Sequence, residues 1–111
     1  GAAGFGVVHF DNDRSTIKPE FMETIRANAK QLLDKPDLQV VVEGHCDERG
    51  TTEYNLALGQ RRASAVYDAL IAEGVSASQL DTVSYGEERP VASGQGEEAW
   101  AQNRRAMITL K

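Results

Sequence analysis

Three consecutive pieces of the chain decide how it folds. They are Leu38-Gln39-Val40-Val41-Val42-Glu43-Gly44-His45, the charged hexapeptide Cys46-Asp47-Glu48-Arg49-Gly50-Thr51, and the long segment that opens Thr52-Glu53-Tyr54-Asn55. The first reads as a strand rich in β-branched residues. Leu38, Val40 and Val42 share one face with Gly44, while Gln39, Val41, Glu43 and His45 share the other. The third reads as a helix running to about Glu73. Thr51 or Thr52 can cap its start, and Gly74 stands where a left-handed C-terminal residue is expected. A strand, a tight charged loop and a long helix make half of an α/β unit.

Working outward, Phe5–Phe10 reads as a short first strand ended by the polar run Asp11–Ser15. A helix is expected from about Pro19 to Lys35, with proline in its first turn and Pro36 as its stop. Met22, Ile25, Ala29, Leu32 and Leu33 recur at helical spacing as its buried stripe. Ser76–Leu80 adds a helical turn, Thr82–Tyr85 a third strand, and Ala106–Leu110 a last strand. Gly86–Gly96 is a loop, followed by a short helix over Glu97–Asn103 buried through Trp100. The order is β-α-β-α-β-β, which predicts an α/β fold: a two-layer sandwich with a mixed sheet packed against helices.

The 111 residues suit one domain spanning 1–111, and a 41% hydrophobic fraction can fill a core. The formal net charge of -5, from 17 acidic and 12 basic residues, argues against a nucleic-acid binder. A single cysteine, Cys46, excludes an internal disulfide framework. No run approaches the roughly 18 apolar residues of a membrane span. Gly1-Ala2-Ala3-Gly4 reads as the edge of a domain or an engineered junction, so an export signal or anchor is expected to lie outside this sequence.

The functional signal lies on the second helix. With about 100° per residue, Asn55, Leu58, Ala65, Val66 and Ala69 fall within about 60° of Arg62, and Arg61 points away. A guanidinium on an apolar face needs partners, and internal ion pairs or carbonyl contacts are the commonest. The adjacent loop, however, brings Asp47 and Glu48 to a strand end beside a helix N-terminus, where ligands bind in open α/β sheets. A fixed cation near a fixed carboxylate complements a zwitterion. Arg62 would grip a ligand carboxylate in a two-pronged contact and Asp47 an ammonium. Asp11 would join if the first two strands are neighbours. Arg62 lies about ten residues into the helix, roughly 15 Å along its axis, so the loop must fold back or the ligand must bridge the gap. Replacing Asp47 or Arg62 with alanine is expected to abolish binding and spare the fold.

The stretch Val42–Thr51, with Glu53-Tyr54-Asn55-Leu56 and Leu58-Gly59-Gln60-Arg61-Arg62-Ala63, resembles the signature of the outer membrane protein A-like domain family. Phe10-Asp11, Val83-Ser84-Tyr85-Gly86, Glu88, Pro90 and Asn103-Arg104-Arg105-Ala106 extend the resemblance over nearly the whole chain, most closely to the lipoprotein branch of that family. It implies non-covalent binding of peptidoglycan through the meso-diaminopimelate of the stem peptide. It further implies ligand contacts at Asp47, Arg62, Phe10, Asp11, Leu58, Arg49 and Asn55. The lipoproteins of this branch are held at the periplasmic face of the outer membrane by a lipidated N-terminal cysteine, which this chain lacks. They serve the Tol–Pal system in envelope integrity and cell division, with TolB and TolA as partners. Neither catalysis nor a cofactor is implied.

Other chemistries fit these residues less well. His45 and Asp47 fall short of the four ligands of a closed zinc site. Cys46 and His45 are strand neighbours and point to opposite faces, which suits packing better than a nucleophile–base pair. Asp47 with Glu48 would make a cell-wall hydrolase only inside a cleft holding separated carboxylates. A pure protein-adaptor domain is the third alternative; binding to sacculi separates it from the first. Tyr54, Tyr67 and Trp100 read as packing residues, and at least one of Arg104 and Arg105 as structural.

Overall fold

The computed structural model describes residues 4–111; Gly1-Ala2-Ala3, read above as a domain edge or junction, lie outside the described residues. The elements are β1 (Val8–His9), α1 (Met22–Asp34), β2 (Val40–His45), α2 (Thr52–Ala72), β3 (Leu80–Gly86), α3 (Glu97–Asn103) and β4 (Arg105–Leu110). One 3-10 turn over Pro19–Phe21 leads into α1 and another over Ala77–Gln79 leads into β3. The four strands form one mixed sheet in the order β1-β4-β2-β3. β2 runs parallel to β3, and β4 runs antiparallel to both β1 and β2.

The α/β sandwich expected from the pattern is the observed fold. Val40 and Val42 on the helix-facing side of β2 pack with Ile25, Ala29 and Leu32 of α1, Ala63, Val66 and Leu70 of α2, and Ile108 of β4. Each of these is fully or almost fully buried, and each large aliphatic among them contributes about 1.5–3 kcal/mol by leaving water. The opposite face of the sheet is polar: Glu43 and His45 lie there, with Thr109 donating to the Glu43 carboxylate.

Four local expectations change, the first being that Leu33, expected in the buried stripe of α1, is 48% exposed. The first strand is two residues long rather than six. The Asn28 side chain of α1 takes up both backbone groups of Gly6, its amide donating to the carbonyl and its oxygen accepting the N–H, so Gly6 pairs with the helix rather than with a strand. β4 lies between β1 and β2, so the first two strands are not neighbours. Trp100 is only half-buried, and α3 is anchored instead by buried Asn103. Its amide group bonds Ala92 O, and its oxygen accepts from the N–H groups of Val91 and Ala92.

Candidate functional site

Where β2 passes under α2, Gly44 and Gly59 meet backbone to backbone. A β-carbon on Gly44 would lie 2.5 Å from the Gly59 carbonyl carbon and closer still to its oxygen. This contact brings Arg62, about one turn further along α2, over the end of β2. The Arg62 guanidinium donates to His45 O at 2.8 Å, Arg14 O at 2.8 Å and Asp11 O at 3.2 Å. Its carbon sits 5.3 Å from the centre of the Phe10 ring. At 1% exposure it is the largest fully buried side chain. Carbonyl contacts therefore fix this arginine, and the axial gap to the loop closes because β2 itself returns to the middle of α2.

Asn55, one of the residues placed on the Arg62 face, ties the loop to the helix. Its amide nitrogen donates to Arg49 O at 2.9 Å and to the Glu87 carboxylate at 2.8 Å. The Thr51 hydroxyl caps α2 by accepting the Tyr54 N–H at 3.1 Å. Asp47 is 5% exposed and bonded by Arg49 on both oxygens, at 3.2 Å to Oδ1 and 2.8 Å to Oδ2. The Arg49 N–H adds a third bond at 3.0 Å, and Arg104 Nη1 stands 3.6 Å from Oδ2. Burial alone would raise the Asp47 carboxyl, but the Arg49 bonds and the Arg104 charge outweigh it and hold it below its ordinary value.

A cavity of about 270 Å³ opens between these groups, lined by Asp47, Arg49, Asn55, Leu58 and Arg62 together with Asn12, Asp13, Cys46, Gly50 and Tyr54. Five of the seven candidate residues therefore share one hollow. Phe10 and Asp11 do not: Phe10 lies buried beneath Arg62, and Asp11 turns its carboxylate outward to Lys18 at 2.9 Å. The chain turns at Asp11–Arg14, with Arg14 N–H donating to Asp11 O at 3.1 Å and Asp13 at φ 57°. That turn puts Asn12 and Asp13 on the cavity wall, where the Tyr54 hydroxyl bonds the Asp13 carboxylate. A non-glycine residue with φ above zero is uncommon and marks a position worth inspection; in the sequence the polar run Asp11–Ser15 is its one signal.

A scan of protein-family models matches the OmpA family over residues 9–104. The chain belongs to the OmpA family. The peptidoglycan-associated lipoprotein of Pseudomonas aeruginosa is 56% identical over 100 residues, 90% of this chain and 59% of that protein. The crystal structure of the peptidoglycan-associated lipoprotein from Burkholderia pseudomallei superposes with a TM-score of 0.92 at 44% identity, covering 95% of this chain and 89% of that one. The C-terminal domain of Helicobacter pylori MotB superposes with a TM-score of 0.89 at 28% identity, covering 97% and 85%. This OmpA-family domain spans about three fifths of the length of the curated peptidoglycan-associated lipoproteins it matches.

Cys46 and His45 are engaged in buried contacts. The Cys46 thiol donates to Asn55 O at 3.2 Å, and burial pushes its pKa up to about 11, so it carries no thiolate at neutral pH. Among the described residues no group of three or more His, Cys, Asp or Glu is placed to hold a metal ion. His45 is 1% exposed, stacks on Tyr85 at 5.5 Å and bonds Glu43 through Nε2 at 2.9 Å. Burial lowers its pKa from 6.5, against the opposing pull of Glu43, and the Arg105 and Arg89 charges lower it further. The unfolded chain therefore binds a proton near pH 6.5 that the folded one resists, so stability is full above that pH and is lost as pH falls below it. We expect the urea midpoint to fall between pH 7 and 5.5, and to fall less in His45→Gln. The residual slope belongs to His9, also lowered by burial first. Equal slopes in the two proteins would remove His45 as the source.

Proposed function

We propose that this domain is a non-enzymatic binding module that holds the peptidoglycan stem peptide through the free ammonium–carboxylate end of meso-diaminopimelate. The observation that supports it is the charge pattern of one hollow. Asp13 and Asp47 supply two carboxylates and Arg49 and Arg62 two guanidiniums, around a cavity of about 270 Å³ with Leu58 as an apolar wall. A neutral wall with separated charges complements a zwitterion and disfavours a ligand carrying only one sign. The names of the close relatives point the same way.

In the whole protein this domain would tether the outer membrane to the wall, held by a lipid anchor outside this chain at the periplasmic face. It would act as the wall-binding part of the Tol–Pal system in envelope integrity and division, with TolB and TolA as protein partners. Calorimetric titration with two stem peptides, carrying diaminopimelate or lysine at the third position, tests the binding step. Lysine lacks the side-chain carboxylate, so its peptide should bind roughly 10- to 100-fold more weakly, the worth of about 1.5–3 kcal/mol for a charged hydrogen bond. Asp47→Asn should lose binding to a similar degree while its far-UV spectrum stays unchanged. Equal affinity for the two peptides, or an Asn variant that binds at full strength, would remove the zwitterion reading.

A further inference from the structure

The contact between Arg49 and Asp47 has the wrong partners for a simple binding site, because the carboxylate that should meet the ligand's ammonium is already met by a guanidinium. We propose that Arg49 is a specificity-determining residue that stands in for the ammonium of the ligand and exchanges places with it. The inference rests on the binding reading above and concerns how that site selects its ligand.

The geometry makes the exchange local. The Arg49 Nε and Nη2 groups cover both oxygens of Asp47, and Nη2 also bonds Asn12 Oδ1 at 2.9 Å. Arg49, Asp47 and Asn12 all line the same cavity, so an ammonium entering it meets Asp47 with both oxygens already covered by the guanidinium. Arg49 is half-exposed, and its guanidinium carbon lies 4.0 Å from the centre of the Trp100 ring. That ring is oriented by its own N–H bond to Glu48 at 3.1 Å and keeps a cation–π contact with Arg49 that does not depend on Asp47.

Asp47 does not lose its support when Arg49 leaves. Arg104 is held by Phe10 O at 2.8 Å and Glu97 at 2.8 Å, and its Nη1 is buried, without a hydrogen-bond partner, 3.6 Å from Asp47 Oδ2. This fixed cation stays beside the carboxylate while the mobile one is replaced. A ligand with an ammonium alone trades one ion pair for another. A ligand that also carries a carboxylate meets the displaced guanidinium and recovers the loss. Arg49 thus penalises simple cations and admits zwitterions.

The test compares the diaminopimelate and lysine stem peptides on the wild-type domain, Arg49→Gln and Asp47→Asn. Removal of a half-exposed competitor should tighten the lysine peptide by roughly two- to tenfold and narrow the preference for diaminopimelate. The Arg49 Nε–H resonance in the wild type should move on saturation toward its position in Asp47→Asn. The inference falls if Arg49→Gln weakens the lysine peptide, leaves its affinity and the preference unchanged, or if the Nε–H resonance stays in place at saturation. If the wild type binds diaminopimelate and Asp47→Asn does not, the binding reading stands whatever Arg49→Gln shows. If the wild type binds neither peptide, both readings fall.

Discussion

Gly44→Ala is expected to cost about 3 kcal/mol or more, the upper range for added bulk in a packed interior. The new methyl would overlap the carbonyl of Gly59 and come within 3.1 Å of Ala63 N, and both are backbone atoms that cannot rotate away. Relief would require α2 to lift from β2, which also separates Val40 and Val42 from Val66 and Leu70. A domain of this size is stabilised by only about 5–15 kcal/mol, so the loss is a large share of the total. Gly94→Ala supplies the control. Its φ is 101° but nothing lies within 4 Å of the added carbon, so only backbone strain of about 1 kcal/mol is expected. Urea denaturation of the two variants should separate them clearly. A Gly44 variant as stable as the Gly94 variant would show that the helix–strand approach is not close enough to matter.

Arg62→Ala should destabilise the domain by about 3–5 kcal/mol as well as remove ligand binding, the range for breaking a buried polar network. The side chain donates to three carbonyls on two segments, Asp11 and Arg14 in one turn and His45 at the end of β2, and its removal strips each of a donor while opening a void over Phe10. This revises the expectation from sequence that the fold would survive the change. Lysine retains the charge but gathers its donors on one nitrogen. It cannot reach three carbonyls spread over a planar fork, so Arg62→Lys should recover only part of the stability. The urea midpoint of Arg62→Lys should fall between those of the wild type and Arg62→Ala. A midpoint equal to the wild type would mean that charge alone, not the fork, holds the three carbonyls.

The proposed double role would explain how a buried arginine can serve a site. Its partners are neutral carbonyls, which orient the guanidinium without cancelling its charge. Asp47 is handled in the opposite way, neutralised by Arg49 and backed by Arg104. The cavity between them is therefore asymmetric: one pole is fixed and uncompensated, the other paired and exchangeable.

Local pattern carried much of this architecture. The alternation in Leu38–His45 placed Val40 and Val42 toward the helices, and the helical period put Arg62 on the buried side of α2 with Asn55 and Leu58. Periods of two and 3.6 residues report which side of an element leaves water, and burial enforces them one element at a time. The two-layer class, the mixed sheet and the membership of the OmpA family follow from such local signals and from a long motif.

The tertiary structure alone decided what meets what. The insertion of β4 between β1 and β2, the meeting of Gly44 with Gly59, and the reach of Arg62 to Asp11 and Arg14 join residues 15 to 51 positions apart or reorder whole strands. So does the turn that sets Asn12 and Asp13, rather than Phe10 and Asp11, on the cavity wall. The physical reason is that periodicity records burial but not partners. A carbonyl, a carboxylate or an approaching backbone satisfies the same buried position, and only strand register and chain closure select among them.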